Sequence, residues 1–446
     1  MSLLDLSVCL SFVLGVGFLG YVGVIVTGFL RARPDAPGDP SGYQWHFVVP
    51  CRDEEAVIGT TLDHLHRRFP TARLWVVDDH SVDRTAEVVR ALGDAGLPVH
   101  LVQRRLPDAR TGKGDALNAA YHALEAWLPP GTDPDRVVLT VVDADGRPSP
   151  NLLQVLSGPA SFGDPAVGAV QVEVRMSNRA VAAPLPGRGR TANARARLLA
   201  RLQDLEFRGP ISAMQITRRR TGTVNVGGNG QANRLSALRQ VAAETGDPWG
   251  RALLEDFELG LRMMLAGRRN GYTTTAWVEQ EALWSVRQLL TQRVRWAQGS
   301  MQCARYLPRI WRSREFSALG FLEVGYFMAQ PWLQVVGLFA YLLPIGVFGY
   351  HAWAYPEFTA DFLSHGGALL LSLYLVLGVA EFAIWGPLYR RRCERDIGRG
   401  SALGYGLALA VYAAGTYLVA VRAFWRLLRG NRGWHKTART ASVAVN

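Results

Sequence analysis

The sequence is poor in lysine and in cysteine, and each shortage bears on the class of protein. Lysine occurs only at Lys113 and Lys436, so arginine carries almost all of the positive charge behind the formal net charge of +12. Many of these arginines stand beside apolar segments, as at Arg390–Arg392. Such arginines are typical of the cytoplasmic ends of membrane helices, so we expect no nucleic-acid partner. The four cysteines form no Cys-x-x-Cys pair, so neither a zinc site nor a disulfide framework is indicated.

Charged residues are almost absent from four long apolar runs. Three of them, Leu6–Leu30, Val324–Tyr350 and Ser401–Val421, contain no Asp, Glu, Lys or Arg. The fourth, Gly366–Tyr389, contains only Glu381. About 20 apolar residues are enough to cross a bilayer as a helix. We therefore predict transmembrane helices at 6–30, 324–350 and 366–389, and at 401–421 a helix that either crosses the membrane or lies along its surface.

The remaining segments follow from these four runs. No basic residue precedes the first run, and Arg31 and Arg33 follow it directly, which predicts an uncleaved anchor with its N-terminus outside. A Pro/Gly-rich linker at 31–44 leads into a block of mixed composition at 45–300, long enough for one substantial core. We expect interfacial helices at 301–323 and a basic C-terminal tail at 422–446.

Within the mixed block, patterns typical of strands and helices alternate. The predicted strands are Leu74–Val77, Val99–Gln103 and Val137–Val142, and the predicted helices are Asp83–Leu92 and Asp115–Leu128. This alternation predicts an α/β fold with a parallel sheet and crossover helices. Ligand groups then belong at the carboxyl ends of the strands.

Two groups of polar residues follow those strands. Asp78 and Asp79 end the first one, and a later turn places Lys113 between two glycines at the start of a helix, an arrangement that favours phosphate but could also be a simple capped turn. Asp143 and Asp145 stand two apart at a strand end, so their side chains share one face. Paired carboxylates there suit Mg²⁺ or Mn²⁺ with a diphosphate, although such pairs are also common in turns.

Two more motifs lie further along the chain. Glu255 and Asp256 begin a predicted helix, where one carboxylate could act as a base. Gln292, Arg295 and Trp296 share one helical face, where an arginine could neutralise a leaving diphosphate and an indole could support a sugar. The alternatives are a solvated arginine and a membrane-interface tryptophan.

In order and spacing, these motifs resemble those of the membrane-embedded family 2 glycosyltransferases, which include the cellulose, chitin and hyaluronan synthases. The matching segments are Val48–Glu55, Asp78-Asp79, Lys113–Asn118, Asp143-x-Asp145, Glu255-Asp256 and Gln292-x-x-Arg295-Trp296. The resemblance implies a GT-A fold flanked by transmembrane helices, a UDP-sugar donor, a divalent metal (Mg²⁺ or Mn²⁺) and inversion at the anomeric carbon. It also implies a multi-pass protein of the cell membrane with a cytoplasmic catalytic domain.

The resemblance further implies a role for each residue. Asp78 and Asp79 would contact the nucleotide, Lys113 the diphosphate, and Asp143 and Asp145 the donor and the metal. Asp256 would be the base, and Gln292, Arg295 and Trp296 would hold pyrophosphate and acceptor. A C-terminal segment with Trp434, Thr437 and Arg439 is similar to the gating loop of processive synthases, or is a generic basic tail. Leu254 stands where relatives usually carry Thr, Ser or Cys, which puts the acceptor in doubt.

Three functions compete on this basis. The first is a processive synthase that elongates a β-linked polysaccharide and exports it through its own helices. The second is a non-processive enzyme that decorates a lipid or a finished polymer once, and the third is an inactive scaffold or export partner. The expected partners are a UDP-sugar donor, a glycan acceptor, the lipid bilayer and, for export, an accessory subunit that the sequence does not identify.

Overall fold

A computed structural model describes residues 3–431 of the chain. Its strands are β1 (Gln44–Cys51), β2 (Arg73–Asp79), β3 (Val99–Arg104), β4 (Val137–Val141), β5 (Arg147–Pro148), β6 (Val167–Met176), β7 (Gln231–Arg234) and β8 (Arg269–Gln280). Its helices are α1 (Leu3–Arg31), α2 (Ile58–Arg68), α3 (Thr85–Asp94), α4 (Lys113–Trp127), α5 (Leu152–Leu156), α6 (Arg190–Glu206), α7 (Ser212–Arg218), α8 (Leu235–Ala242), α9 (Glu255–Leu265), α10 (Val286–Cys303), α11 (Leu307–Arg312), α12 (Ala318–Ala354), α13 (Pro356–Phe362), α14 (Ala368–Ala383), α15 (Trp385–Arg392) and α16 (Arg399–Leu428).

The strands form one sheet in the order β3-β2-β1-β4-β7-β6-β8-β5. The half from β3 to β4 is parallel, as predicted, and all five predicted elements between Leu74 and Val142 are present with ends within two residues. The other half of the sheet is mixed, because β7 is antiparallel to both β4 and β6, and β5 is antiparallel to β8, whereas β6 and β8 are parallel. Strand β7 carries polar residues that are buried, including Gln231 and Asn233, so it has no apolar run that would predict it.

Helices cover both faces of the sheet. Phe47 and Val49 of β1 belong to the core on one face, with residues of α2 such as Leu62. Val48 points to the other face and packs with residues of α4, α8 and α9, among them Leu117. This alternation along β1 is the two-residue period of a strand. It leaves the carboxyl ends of β1, β2 and β4 along a single edge of the sheet.

In the described part of the chain, four helical segments are long and apolar enough to cross a membrane: Leu6–Arg31, Ala318–Ala354, Glu357–Arg392 and Arg399–Leu428. The predicted run at 366–389 is not one continuous helix, because α14 is preceded by a kink at Gly366, where φ is 93°, and α15 begins as a new helix after Ile384. Segment 301–323 holds the end of α10, helix α11 and the first turns of α12; its place at the membrane surface stays a prediction.

Candidate active site

Asp78 and Asp79 both hold the turns at the carboxyl end of β2. Asp78 accepts hydrogen bonds from the Ser81 backbone N–H at 3.0 Å and from Gln103 Nε2 at 3.3 Å. Asp79 accepts the Arg110 backbone N–H at 3.0 Å and forms an ion pair with Arg104. Both carboxylates are buried. They tie the carboxyl end of β2 to its own turn, to β3 and to the loop after β3.

Lys113 is the first residue of α4, and its ammonium reaches across to the end of β4. Nζ donates to Asp143 Oδ1 at 2.7 Å and to the Gly228 carbonyl at 2.9 Å. Burial opposes the charged form, but the carboxylates of Asp143 and Glu255 outweigh it, so the pKa of Lys113 is raised. The ammonium is therefore a fixed positive charge beside the strand-end carboxylates, which a simple capped turn would not require.

The two acids at the end of β4 are held separately. The Asp143 backbone N–H donates to Asn229 Oδ1 at 3.1 Å, and Asp145 Oδ2 accepts the Glu281 backbone N–H at 3.0 Å. Within residues 3–431, no three His, Cys, Asp or Glu side chains cluster as a metal site would require. The two carboxylates are hard oxygen donors, so they fit Mg²⁺ or Mn²⁺ provided that phosphate and water complete the coordination.

Glu255 and Asp256 form a buried carboxylate pair in the first turn of α9. Asp256 Oδ1 accepts the Phe257 backbone N–H at 2.7 Å. Burial, and next the charge of Glu255, raise the pKa of Asp256 to about 7, and burial also raises the pKa of Glu255. A carboxyl group with a pKa near neutrality is suited to general base catalysis.

Gly228 shows how closely these groups approach one another. A Cβ added at Gly228 would lie 2.9 Å from Lys113 Nζ and 3.2 Å from Asp256 Oδ2. The ammonium and the Asp256 carboxylate therefore border the same small volume, with Asp143 bonded to the ammonium. No role was predicted from the sequence for Gly228 or Asn229. Two adjacent glycines followed by asparagine were the available signal for a close backbone approach.

Of the predicted residues on helix α10, Arg295 acts on the carboxylate pair. The charge of Arg295 acts on both Glu255 and Asp256 and favours their ionised forms. The Trp296 ring meets Phe207 edge-on with 6.3 Å between centroids, and the Arg293 guanidinium lies 4.3 Å from the Trp296 ring centroid. Gln292, like Arg295 and Trp296, is half-buried. Trp434, Thr437 and Arg439 lie outside the described residues, so the gating-loop resemblance stays a prediction.

The carboxylate pair adjoins the apolar helices directly. The ring of Phe257, the residue after Asp256, packs against Phe327 of α12 with 4.7 Å between centroids. On α10, Ser300 Oγ donates to the Phe327 carbonyl at 3.3 Å, and Gln298 accepts from Arg426 Nε at 2.9 Å. No sequence pattern indicated these contacts, because they join residues far apart in the chain.

Comparison with known proteins identifies the family. The profile described as "Glycosyltransferase like family 2" matches residues 44–299. The chain is 30% identical over 80% of its length to a β-monoglucosyldiacylglycerol synthase of Synechocystis sp.. It is 25% identical over 57% of its length to the probable glycosyltransferase YdaM of Bacillus subtilis. It spans 66% and 54% of the lengths of these two relatives.

A solved structure has the same fold over nearly the whole chain. The mannosyltransferase PcManGT from Pyrobaculum calidifontis, in complex with GDP-Man and Mn²⁺, superposes with a TM-score of 0.59 at 18% identity. The similarity covers 96% of this chain and 100% of that one. This likeness and the family match confirm the GT-A fold that the sequence motifs implied.

Proposed function

Because this chain belongs to glycosyltransferase family 2, we propose that it transfers a single sugar from a UDP-sugar to the hydroxyl group of a membrane lipid, with inversion. The observation that carries the lipid acceptor is the contact between Phe257 and Phe327. It attaches the segment holding Asp256 to an apolar helix that is long enough to cross a membrane.

The position of Phe327 along α12 sets the depth of the site. The uncharged run of that helix begins at Val324, so Phe327 lies about one turn inside it. A base held beside this turn is at the level where the polar head of a lipid meets its acyl chains. The printed name of the Synechocystis relative, a β-monoglucosyldiacylglycerol synthase, further supports a lipid acceptor.

The geometry suggests a role for each group in a single displacement. Asp256 takes the proton of the acceptor hydroxyl as that oxygen attacks the anomeric carbon, and the diphosphate leaves from the opposite face. Lys113 and Arg295 supply positive charge toward the departing diphosphate. One carboxylate base is sufficient for this step, since no covalent sugar–enzyme intermediate forms.

Asp78 and Asp79 act mainly by shaping the nucleotide end of the cleft, because their carboxylates are engaged by Gln103, Arg104 and nearby backbone N–H groups. Asp143 and Asp145 would hold Mg²⁺ or Mn²⁺. When bound, such an ion supplies further positive charge to the diphosphate. Gln292 and Trp296 would help to hold the pyrophosphate and the acceptor.

Elongation of a polysaccharide with export stays a prediction, and the surroundings of Glu381 favour the single transfer. A glycan crossing the bilayer needs polar groups along an open path. Glu381 is the one acid in its apolar run, yet it is only 7% exposed and lies close to Tyr326, Tyr341 and Tyr417. Glu381 therefore faces protein rather than lipid, and its place among helices gives no support to a channel.

The test is product analysis with the purified protein in lipid nanodiscs. UDP-glucose, UDP-N-acetylglucosamine and UDP-glucuronate are supplied separately with diacylglycerol, and the lipid extract is examined by mass spectrometry. We expect one donor to add a single sugar to the lipid. A water-soluble polymer without glycosylated lipid would overturn the proposal in favour of elongation, and absence of UDP release from every donor would indicate a scaffold.

Matched variants make this test specific. Asp256→Asn should abolish the glycolipid signal while the protein remains folded and binds donor. Asp94→Asn makes the same chemical change on the exposed end of α3 and should leave the product unchanged.

A further inference from the structure

Helix α16 is long enough to cross a membrane, but one of its faces rests on two charged helices of the catalytic domain. Tyr405 packs in the cluster that contains Leu202 and Leu205 of α6. Tyr412 Oη donates to Glu206 Oε2 at 2.7 Å, at the end of the same helix. These contacts join the first half of α16 to the domain.

The second half of α16 continues on α10. Val419 and Ala423 pack with Val294 and Met301, and Arg426 Nε donates to Gln298 Oε1 at 2.9 Å. The contacts with the domain therefore run from Tyr405 to Arg426, a distance of about 32 Å at 1.5 Å per residue.

A distance of about 32 Å is as long as the hydrocarbon core is thick. If α16 crossed the membrane, α6 and α10 would have to lie in hydrocarbon beside it. Helix α6 contains four arginines, one aspartate and one glutamate, and charged side chains are costly at that depth. The contacts are therefore incompatible with a crossing α16.

The angle at which α16 packs on the other apolar helices also argues against a membrane-spanning α16. Gly406 of α16 contacts the end of α14, since a Cβ there would meet the Ala383 carbonyl. Tyr417 lies about 16 Å further along α16, yet it is close to Glu381, which is also at the end of α14. On α12, Trp332 packs on Phe424 and Gln334 donates to Thr416. Long stretches of α16 thus meet short stretches of α12 and α14, as happens when helices cross steeply rather than run side by side.

The opposite face of α16 is apolar and uncovered. Its exposed large residues recur every three, four or seven positions and form one stripe: Leu403, Leu407, Val411, Leu418, Val421, Trp425 and Leu428. Arg422 and Arg429 are also exposed beside that stripe. Apolar residues flanked by arginine and tryptophan match a helix that lies in the headgroup region with its apolar side toward the acyl chains.

We infer that α16 is not a membrane span but lies flat on the bilayer surface beneath the catalytic domain, with the stripe from Leu403 to Leu428 inserted into the lipid. The stripe contacts the lipids of one leaflet. Residues 3–431 then cross the membrane three times, through α1, α12 and the segment Glu357–Arg392. Asn431, whose carbonyl accepts Gln298 Nε2 at 2.6 Å, is on the same side as the active site.

The depth of single probes along α16 tests this inference. Cys9 and Cys393 are replaced by serine, whereas Cys51 and Cys303, only 3% and 0% exposed, remain and should not react. A fluorophore is attached to cysteine at Leu403, Val411, Leu418 or Leu428 in turn, and quenching by shallow and deep nitroxide lipids is measured. UDP release verifies that each labelled protein is folded.

A crossing helix of the same chain is the control. Leu322, Leu333, Phe339 and Ile345 of α12 are all exposed large residues, and probes there should go from shallow to deep and back to shallow. The four α16 probes should all be quenched by the shallow lipid and report one depth. A shallow–deep–shallow series along α16 would overturn the inference.

A second measurement is independent of depth. Cysteine is placed at Asn431, at exposed Glu87 in the catalytic domain, or at exposed Tyr355 beyond the far end of α12. In sealed vesicles, a membrane-impermeant maleimide should label Asn431→Cys and Glu87→Cys from one side and Tyr355→Cys from the other. Labelling of Asn431→Cys with Tyr355→Cys would contradict the proposed topology.

Discussion

The two sides of the active site are built differently. On the donor side, Asp78, Asp79, Lys113 and Asp143 are fixed by hydrogen bonds and ion pairs inside the sheet domain. On the acceptor side, the segment with Asp256 packs against α12 through Phe257, and helix α10 packs against α16. On the proposed roles, most contacts to the donor are made within the sheet domain, with Arg295 of α10 added beside the diphosphate, whereas the position of the acceptor depends on the apolar helices.

The largest effect should come from removing divalent metal. Excess EDTA should eliminate measurable transfer, and Mn²⁺ or Mg²⁺ should restore it, because the diphosphate and the Asp143 and Asp145 carboxylates together need a hard cation. Zn²⁺ should not substitute, since these ligands include no Cys or His. Full activity in excess chelator would show that transfer needs no metal ion at Asp143 and Asp145.

Next in size is the base. Asp256→Asn keeps the shape of the side chain but removes the proton acceptor, so kcat should fall by about 100-fold or more. Donor affinity, measured by calorimetry, should change little because the donor side is held independently. If turnover remained near normal, Glu255 would be the next candidate for the base.

The pH dependence should follow the same carboxyl group. Its pKa is raised to about 7 by burial and by the charge of Glu255, and only the deprotonated form accepts a proton. Lowering the pH through this value should therefore reduce kcat/KM, about tenfold per pH unit once well below it. A profile that is flat from pH 5 to 8 would assign the proton transfer to another group.

The Lys113 ammonium should matter mainly for binding. Lys113→Ala should weaken UDP-sugar binding by about 10- to 100-fold, the usual range for a hydrogen bond with a charged group. Lys113→Arg is the control because it keeps the positive charge. Unchanged donor affinity in the alanine variant would restore the interpretation of this turn as purely structural.

The smallest effect should isolate the acceptor side. Phe327→Ala removes the ring that supports Phe257, and aromatic pairs of this kind contribute enough to change the KM for lipid by about two- to tenfold. UDP-sugar hydrolysis in the absence of acceptor should be unaffected. Phe339→Ala, on the same helix but 70% exposed, is the matched control, and equal effects of the two variants would mean that Phe327 only stabilises the helix.

The same contrast explains what the sequence could predict. Asp78, Asp143 and Lys113 were found because strand and helix patterns are local, and the carboxyl ends of parallel strands share an edge. Strand β7 was missed because its buried residues are polar. The pairing of Phe257 with Phe327 was not predicted, and for α16 the sequence left a crossing and a surface position open, since apolar residues carry no local mark of the partner they pack against.

The close approach of α16 to the end of α14 and the start of α15 has a consequence for the evolution of the chain. A Cβ at Gly386 would lie 2.0 Å from the Ala402 carbonyl oxygen, and one at Gly406 would lie 2.1 Å from that of Ala383. Backbone meets backbone at both places, so no rotamer change can make room. Selection should therefore reject every substitution at these two positions before catalysis is tested, and saturation mutagenesis scored only for folded protein in the membrane would detect this intolerance.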